Sequence, residues 1–469
     1  MTTIQRADQT IGAGELHDLV DGHVVLPGDD GWDLARQAWN LAADQRPLAV
    51  VFVETPADVA AVVDYARGRG LRVATQATGH LAGSLDSFEN TILVKTSRMR
   101  RLEIDPDART ARAEAGVLWE EVVLAAGEHG LAGLAGSSPD VGVVGYTLGS
   151  GVGWLARRYG LAANSVFAVE LVTADGRIVR ADRDNEPDLF WAVRGGGGSF
   201  GIVTAIEFAL YPVAEVYAGI LFFPFERAAE VLNAWSEWVE DTPEEITSAG
   251  RLMQFPPIPD IPEPVRGRAF VMVEAAFMGS EADGAELLRP LRELGPEMDT
   301  FATIPAAELL FLHMDPPQPV PGAGDGMALA ELTPETVDAL VAVAGPGSGS
   351  PLLSVELRQL GGAVAVERPE HGAVGHLHAG FGLFGAGMAL DPEMEAAVKV
   401  HAQTVKDALA PWADGRGFFN FSDTPLEGRS LFPPATYLRL QDVKAAYDPD
   451  ELFRASHPIR PAATQGSRQ

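Results

Sequence analysis

Hydrophobic periodicity changes twice along this chain, and the changes bound what it can fold into. Over the first 210 residues or so, short strand-like and helix-like segments alternate. The stretches 48–54, 71–77, 90–96 and 109–116 read as strands, and 30–45, 55–70 and 118–130 as helices. Thr55 followed by Pro56 marks a helix start, and Gly70 a stop. Residues 167–181 read as a hairpin turning at Asp175-Gly176, followed by a helix at 187–193 and a strand at 201–213. From 214 to about 410 the pattern shifts to longer strands, 248–255, 268–279, 351–363 and 375–387, separated by proline-rich loops. Amphipathic helices at 225–240 and 333–345 flank them, which predicts an antiparallel sheet covered by helices. A final helix is expected at 435–454, stopped by Pro449. With 469 residues, two domains are expected: one over 1–213 completed by 411–469, the other over 214–410. The fold class is α+β.

Composition removes several functions. The net charge of −30 repels phosphate backbones and anionic lipid surfaces, so neither nucleic acid nor a membrane is expected as partner. With no cysteine, disulfides, thiolate metal sites, cysteine nucleophiles and cysteinyl cofactor links are all excluded. No window reaches the length of a membrane span and the first residues lack a signal pattern, so the expected location is the cytoplasm.

Three glycine-rich stretches need separate treatment. Gly196, Gly198 and Gly201 match G-x-G-x-x-G, but a helix precedes them and a strand follows, the reverse of a dinucleotide fingerprint. In "GSSPDVGVVGYTLGSGVGW" (136–154), Gly142, Gly145, Gly149, Gly151 and Gly153 let backbone approach closely. Physics alone leaves open whether a dinucleotide-like ligand or another stretch of protein is approached. The third, "QATGHLAGS" (76–84), holds a histidine, His80.

Taken in order, several segments settle that question by likeness. They are "TPADVAAVVDYARGRGLRVATQATGH", "TSRMRRLEIDPDARTARAEAGVLWEEV", "GWLARRYGLAANSVFAVELVTADGRIV", "EPDLFWAVRGGGGSFGIVTAIEFALYPV" and the tail "YDPDELFR". The chain resembles the FAD-linked oxidases of the vanillyl-alcohol oxidase superfamily, in the berberine-bridge-enzyme-like and 6-hydroxynicotine-oxidase-like branch. The resemblance implies a two-lobed PCMH-type FAD-binding domain, its core at about 43–213, plus a substrate domain.

It also implies that His80 is bonded to the flavin 8α-carbon, within the loop Gln76, Ala77, Thr78, Gly79, His80. Gln76 stands where the family has arginine, which removes a positive charge beside the cofactor. Leu81 and Ser84 continue the loop. Where relatives carry a second, cysteinyl link, this chain has Ser138, so a single bond is implied. Val141 falls at the position that controls oxygen access, and Tyr146 where berberine-bridge-like members often have a histidine near the flavin. Trp154, Gly201, Ile202, Val203 and Asn420 complete the implied cofactor contacts, with Phe418 in place of a tyrosine that some members use in proton transfer.

For the base, alternation in "SVELRQLGG" (354–362) puts Glu356 and Arg358 on one strand face, against Val355, Leu357 and Gln359 on the other. The family likeness points to Glu356 as base, tuned by Arg358, with Tyr146 the third catalytic candidate. His376 and His378 are expected on one strand face as a polar pair, and His313 as a satisfied loop histidine; no metal is expected. The implied activity is an FAD-dependent oxidase that takes hydride from an alcohol, amine or ring C–H of a small organic substrate and passes it to O2, giving H2O2. A tailoring step of secondary metabolism is the expected setting, which composition by itself does not show. A dehydrogenase or monooxygenase-like enzyme of the same fold is the alternative, and a non-catalytic flavin-binding protein the remote one. Monomer and homodimer are both compatible with the sequence.

Overall fold

The computed structural model describes residues 13–85 and 88–462; the ends of the expected flavin unit, 1–12 and 463–469, lie outside the described residues. Three sheets organise it. The first is a five-stranded sheet in the order 23–25, 49–52, 91–95, 72–76, 453–454. Its inner strands are parallel and read as near-continuous apolar runs, as strands buried on both faces do. The helix Pro56–Gly68 covers it, started by a capping box in which the Thr55 hydroxyl accepts the Asp58 N–H. The closing strand, Phe453–Arg454, comes from the far end of the chain and pairs parallel with Val73 and Ala74.

The second sheet, antiparallel, runs 102–105, 110–114, 202–209, 166–172, 178–182. The third is also antiparallel and holds eight strands. Seven run in the order 298–299, 215–224, 269–277, 246–254, 354–359, 381–388, 322–329, and 302–305 also pairs with 215–224. Leu252, Val271, Val273, Val355 and Leu357 point from one face into a core with the helices Ala228–Glu240, Pro334–Ala344 and Pro392–Leu409. Alternation sends the intervening residues to the opposite face.

Two expectations are corrected, and two strands were not foreseen. The helix expected over 30–45 covers only Trp32–Ala35. Beyond it the backbone N–H groups of Trp39 and Leu41 bond to Thr78 O and Val320 O, so tertiary pairing replaces helical bonds. The strand expected from 375 begins at Phe381, which leaves His376 and His378 in a loop with their Nε2 atoms 2.8 Å apart. The strands Glu215–Pro224 and Gly322–Leu329 were not read from sequence, the latter because "GAGDGMAL" lacks β-branched residues.

Candidate active site

The strand Arg72–Gln76 ends beside Thr91–Lys95, with Gln76 in register with Lys95. The chain then turns at Gly79, whose φ is +94°; a Cβ there would lie 2.2 Å from Gln76 Nε2. The turn lays the His80 ring against Trp39, with ring centres 4.1 Å apart and planes 19° from parallel. His80 Nδ1 is 2.9 Å from Thr78 Oγ1. His80 Nε2 is buried and lies 3.3 Å from Asp140 Oδ1, near enough for an ion pair but off the line of a hydrogen bond; it has no hydrogen-bond partner among the described residues. Asp140 in turn accepts the Trp39 indole N–H and, at 3.1 Å, the Ser138 hydroxyl. Burial works to raise the Asp140 carboxyl, but the facing His80 ring and the Trp39 N–H outweigh it and lower the pKa.

Leu81 and Ser84 hold the loop itself: Ser84 Oγ donates to Leu81 O at 2.7 Å. Gln76 Nε2 donates to Thr78 O, while its Oε1 is buried without a partner among the described residues. Lys95 stands beside it, buried, donating to Gln37 O at 2.6 Å. Burial pushes its pKa down to about 8. A cation thus stands next to position 76 after all, supplied by the neighbouring strand.

The second glycine-rich stretch meets this loop directly, since a Cβ on Gly142 would lie 3.3 Å from the Ala77 methyl. Its glycines are not alike. Around Gly145 there is open space, whereas Gly149, Gly151 and Gly153 are packed against protein. At Gly153 a Cβ would fall 1.7 Å from Ala135 O, so only glycine fits that crossing. Val141 is half-buried at the head of the stretch, and its carbonyl accepts the Trp119 N–H. Asn420 ties the C-terminal segment to the stretch: Oδ1 accepts from Ser150 Oγ and Gly151 N, both at 3.1 Å, and Nδ2 donates to Tyr146 O. Gly201 packs against Val172 O, and the side chains of Ile202 and Val203 are buried in apolar cores, leaving only their backbone to meet a ligand.

On the polar face of the eight-stranded sheet, Arg251, Glu274, Glu356 and Arg358 come together from three adjacent strands. All are buried. Arg358 Nε donates to Glu356 Oε1 at 2.5 Å, and Arg251 pairs with Glu274. His313 closes the array: Nδ1 is 2.5 Å from Glu274 Oε2, and Nε2 is 3.1 Å from Glu356 Oε2. Burial and Arg251 work to lower the His313 pKa, but Glu274 and Glu356 outweigh them and hold it up at about 9. Burial works to raise Glu356, but Arg358 and His313 outweigh it and hold it far below the usual carboxylate range. The Arg358 guanidinium lies 5.5 Å from the centre of the Trp154 ring and 5.4 Å from that of Phe421. Tyr146 packs edge-on against Trp119, and its buried hydroxyl and the Trp154 indole N–H have no partner among the described residues. Burial pushes the Tyr146 phenol upward, so it keeps its proton.

Two adjacent residues join these parts. Ser138 binds Asp140 beside His80, while Ser137 Oγ is 3.4 Å from Asp315 Oδ2 and 3.5 Å from an Arg358 nitrogen. Residues some 280 apart in sequence therefore form one continuous polar wall. A cavity of about 370 Å³, lined by Trp191, His371, His376, Arg416, Phe418 and Arg439, lies apart from it, with neither His80 nor Glu356 in its wall.

Sequence reasoning paired Glu356 with Arg358 and singled out His80, Ser138, Tyr146 and Trp154. It missed Trp39, Asp140, Lys95, Arg251 and Glu274, and it took His313 for an ordinary loop residue. A signal existed for two of these, since Arg251 and Glu274 are lone charges inside otherwise apolar strands.

The matches to known proteins set this fold among FAD-linked oxidoreductases. Residues 47–182 match the FAD binding domain family, and 417–460 match the berberine and berberine-like family. These two matches and the relatives below are consistent with the berberine-bridge-like, 6-hydroxynicotine-oxidase-like branch of FAD-linked oxidoreductases. It is 27% identical over 460 residues to (R)-6-hydroxynicotine oxidase of Paenarthrobacter nicotinovorans, covering 94% of this chain and 97% of that one. The crystal structure of 6-hydroxy-D-nicotine oxidase from Arthrobacter nicotinovorans superposes with a TM-score of 0.82 at 26% identity, over 94% and 98% of the two chains. A glucooligosaccharide oxidase from Acremonium strictum, described as carrying 6-S-cysteinyl, 8α-N1-histidyl FAD, shares the fold at a TM-score of 0.80 and 22% identity, over 96% and 99%.

Proposed function

We propose that this chain is an oxidase carrying FAD bonded once, to His80, and that it oxidises an alcohol, amine or ring C–H of a small organic donor with O2 as acceptor. In this reading residues 1–213 and 411–469 form the flavin unit, and 214–410 the substrate unit. The carrying observation is the continuous wall His80–Asp140–Ser138–Ser137–Arg358–Glu356. The Tyr146 hydroxyl and the Trp154 indole N–H, unpartnered among the described residues, with open space at Gly145, fit a group that brings its own polar atoms. His80 and its loop would anchor the group, with Tyr146 and Trp154 nearby. When bound, FAD supplies the two-electron acceptor.

The rest is the work of this chain's residues. Glu356 is aimed by Arg358 and His313 and stays ionised, ready to take the substrate proton. Two cations on it make it a weak base at neutral pH; loss of the His313 proton near pH 9 removes one and strengthens it. Arg358 polarises an electron-rich group on the donor, and Trp154 and Phe421 flank it with aromatic faces. Ser138 stands where a second link would need a thiol, and the chain has no cysteine, which supports a single bond.

The test is acid precipitation of the wild type and His80→Ala, followed by a donor screen with peroxide detection. Yellow colour in the wild-type pellet but not the variant's, with peroxide formed on turnover, is the expected result. Flavin in the wild-type supernatant rejects the covalent bond, and reduction by a donor without peroxide rejects O2 as acceptor.

A further inference from the structure

We propose that Asp140, held by Trp39 and Ser138, is the positioning residue that makes His80 competent to bond the flavin. The inference rests on the reading of His80 as the attachment point.

The geometry sets the proton. An ionised carboxylate only accepts, so the imidazole nitrogen facing it, Nε2, is the one that carries hydrogen. Nδ1 then holds the lone pair; the Thr78 hydroxyl, 2.9 Å away, donates to it until the flavin carbon takes its place. A nucleophilic imidazole needs both an unprotonated nitrogen and a fixed ring. The Trp39 face, 4.1 Å away, supplies the second. As the lone pair is spent, positive charge develops on the ring. Asp140 faces that charge from the far nitrogen, the role a buried carboxylate plays for a catalytic histidine. The Trp39 N–H and Ser138 O–H keep Asp140 ionised and pointed at His80. These four side chains come from three separate loops, so the contact is built by the fold.

The step balances as follows. One C–H bond of the flavin 8α-methyl breaks, the imidazole gives up its N–H proton, and a C–N bond forms. Two electrons and two protons then rest on the flavin ring, and dioxygen removes them as hydrogen peroxide. Asp140 is unchanged at the end.

The experiment compares wild type, Asp140→Asn, Asp140→Glu and Trp39→Phe, all purified from one host. Acid-stable flavin is measured as a fraction of total bound flavin, then followed over hours with added FAD at pH 6 to 9. The wild-type fraction is expected near unity. In Asp140→Asn it falls at least tenfold while total flavin is retained, Asp140→Glu recovers part of it, and Trp39→Phe is intermediate. A wild-type fraction in Asp140→Asn overturns the proposal. Should that variant fail to fold, Trp39→Phe decides: a wild-type fraction there also overturns it. Dissociable flavin in the wild type itself removes the His80 reading beneath it.

Discussion

His313 Nε2 lies 3.1 Å from Glu356 Oε2, and both side chains are buried. This contact couples a cation held at about pKa 9 to the carboxylate proposed as base.

Stability should record that coupling. The folded pKa of His313, about 9, is above the unfolded value near 6.5, so its contribution is complete below pH ~6.5 and is lost as pH rises through 9. The shift corresponds to roughly 3 kcal/mol. Urea melts of wild type and His313→Gln at pH 6 and pH 10 should show a gap that narrows sharply at the higher pH. An equal gap at both would assign the proton elsewhere.

Glu356→Gln keeps the shape and removes the proton acceptor. With any donor that reduces the enzyme, kcat should fall by about 10²–10⁴-fold, as expected for loss of a general base, while flavin content stays at the wild-type level. Wild-type kcat/KM should climb between pH 7 and 9, and the climb should be absent in His313→Gln.

Glu274 lies two strands from Glu356 on the same sheet face, paired with Arg251 and His313. Removing one partner of a buried array leaves uncompensated charge, so Glu274→Ala should lower unfolding free energy by about 3–5 kcal/mol. Chemical denaturation at pH 7 measures this, and a loss below ~1 kcal/mol would mean that water reaches the array.

Lys95 has the opposite sign. Its pKa is depressed from 10.5 to about 8, so the folded state is penalised below pH ~8, with relief as pH rises towards 10.5. Lys95→Met should therefore stabilise the flavin-free protein by up to about 3 kcal/mol at pH 7 and by much less above pH 10. Thermal melts at the two pH values decide it.

Local pattern carried much of this protein. The capping box at Thr55 and Pro56, the turn at Gly176 and the alternation that sets Glu356 beside Arg358 were legible because they depend on residues a few positions apart. Motif likeness added the cofactor and His80, again from contiguous residues. Assembly of the wall was not legible. Trp39 leaves its expected helix because its N–H finds Thr78 O, and it is then free to stack on His80. Asp140 meets His80 from 60 positions away, and His313 reaches two strands from a loop with no distinguishing pattern. Sequence by itself determined the periodicities, the chemistry available and the absence of thiols. Only the tertiary structure decided which charges would be buried together. That choice depends on desolvation offset by partners distant in the chain, which no local window contains.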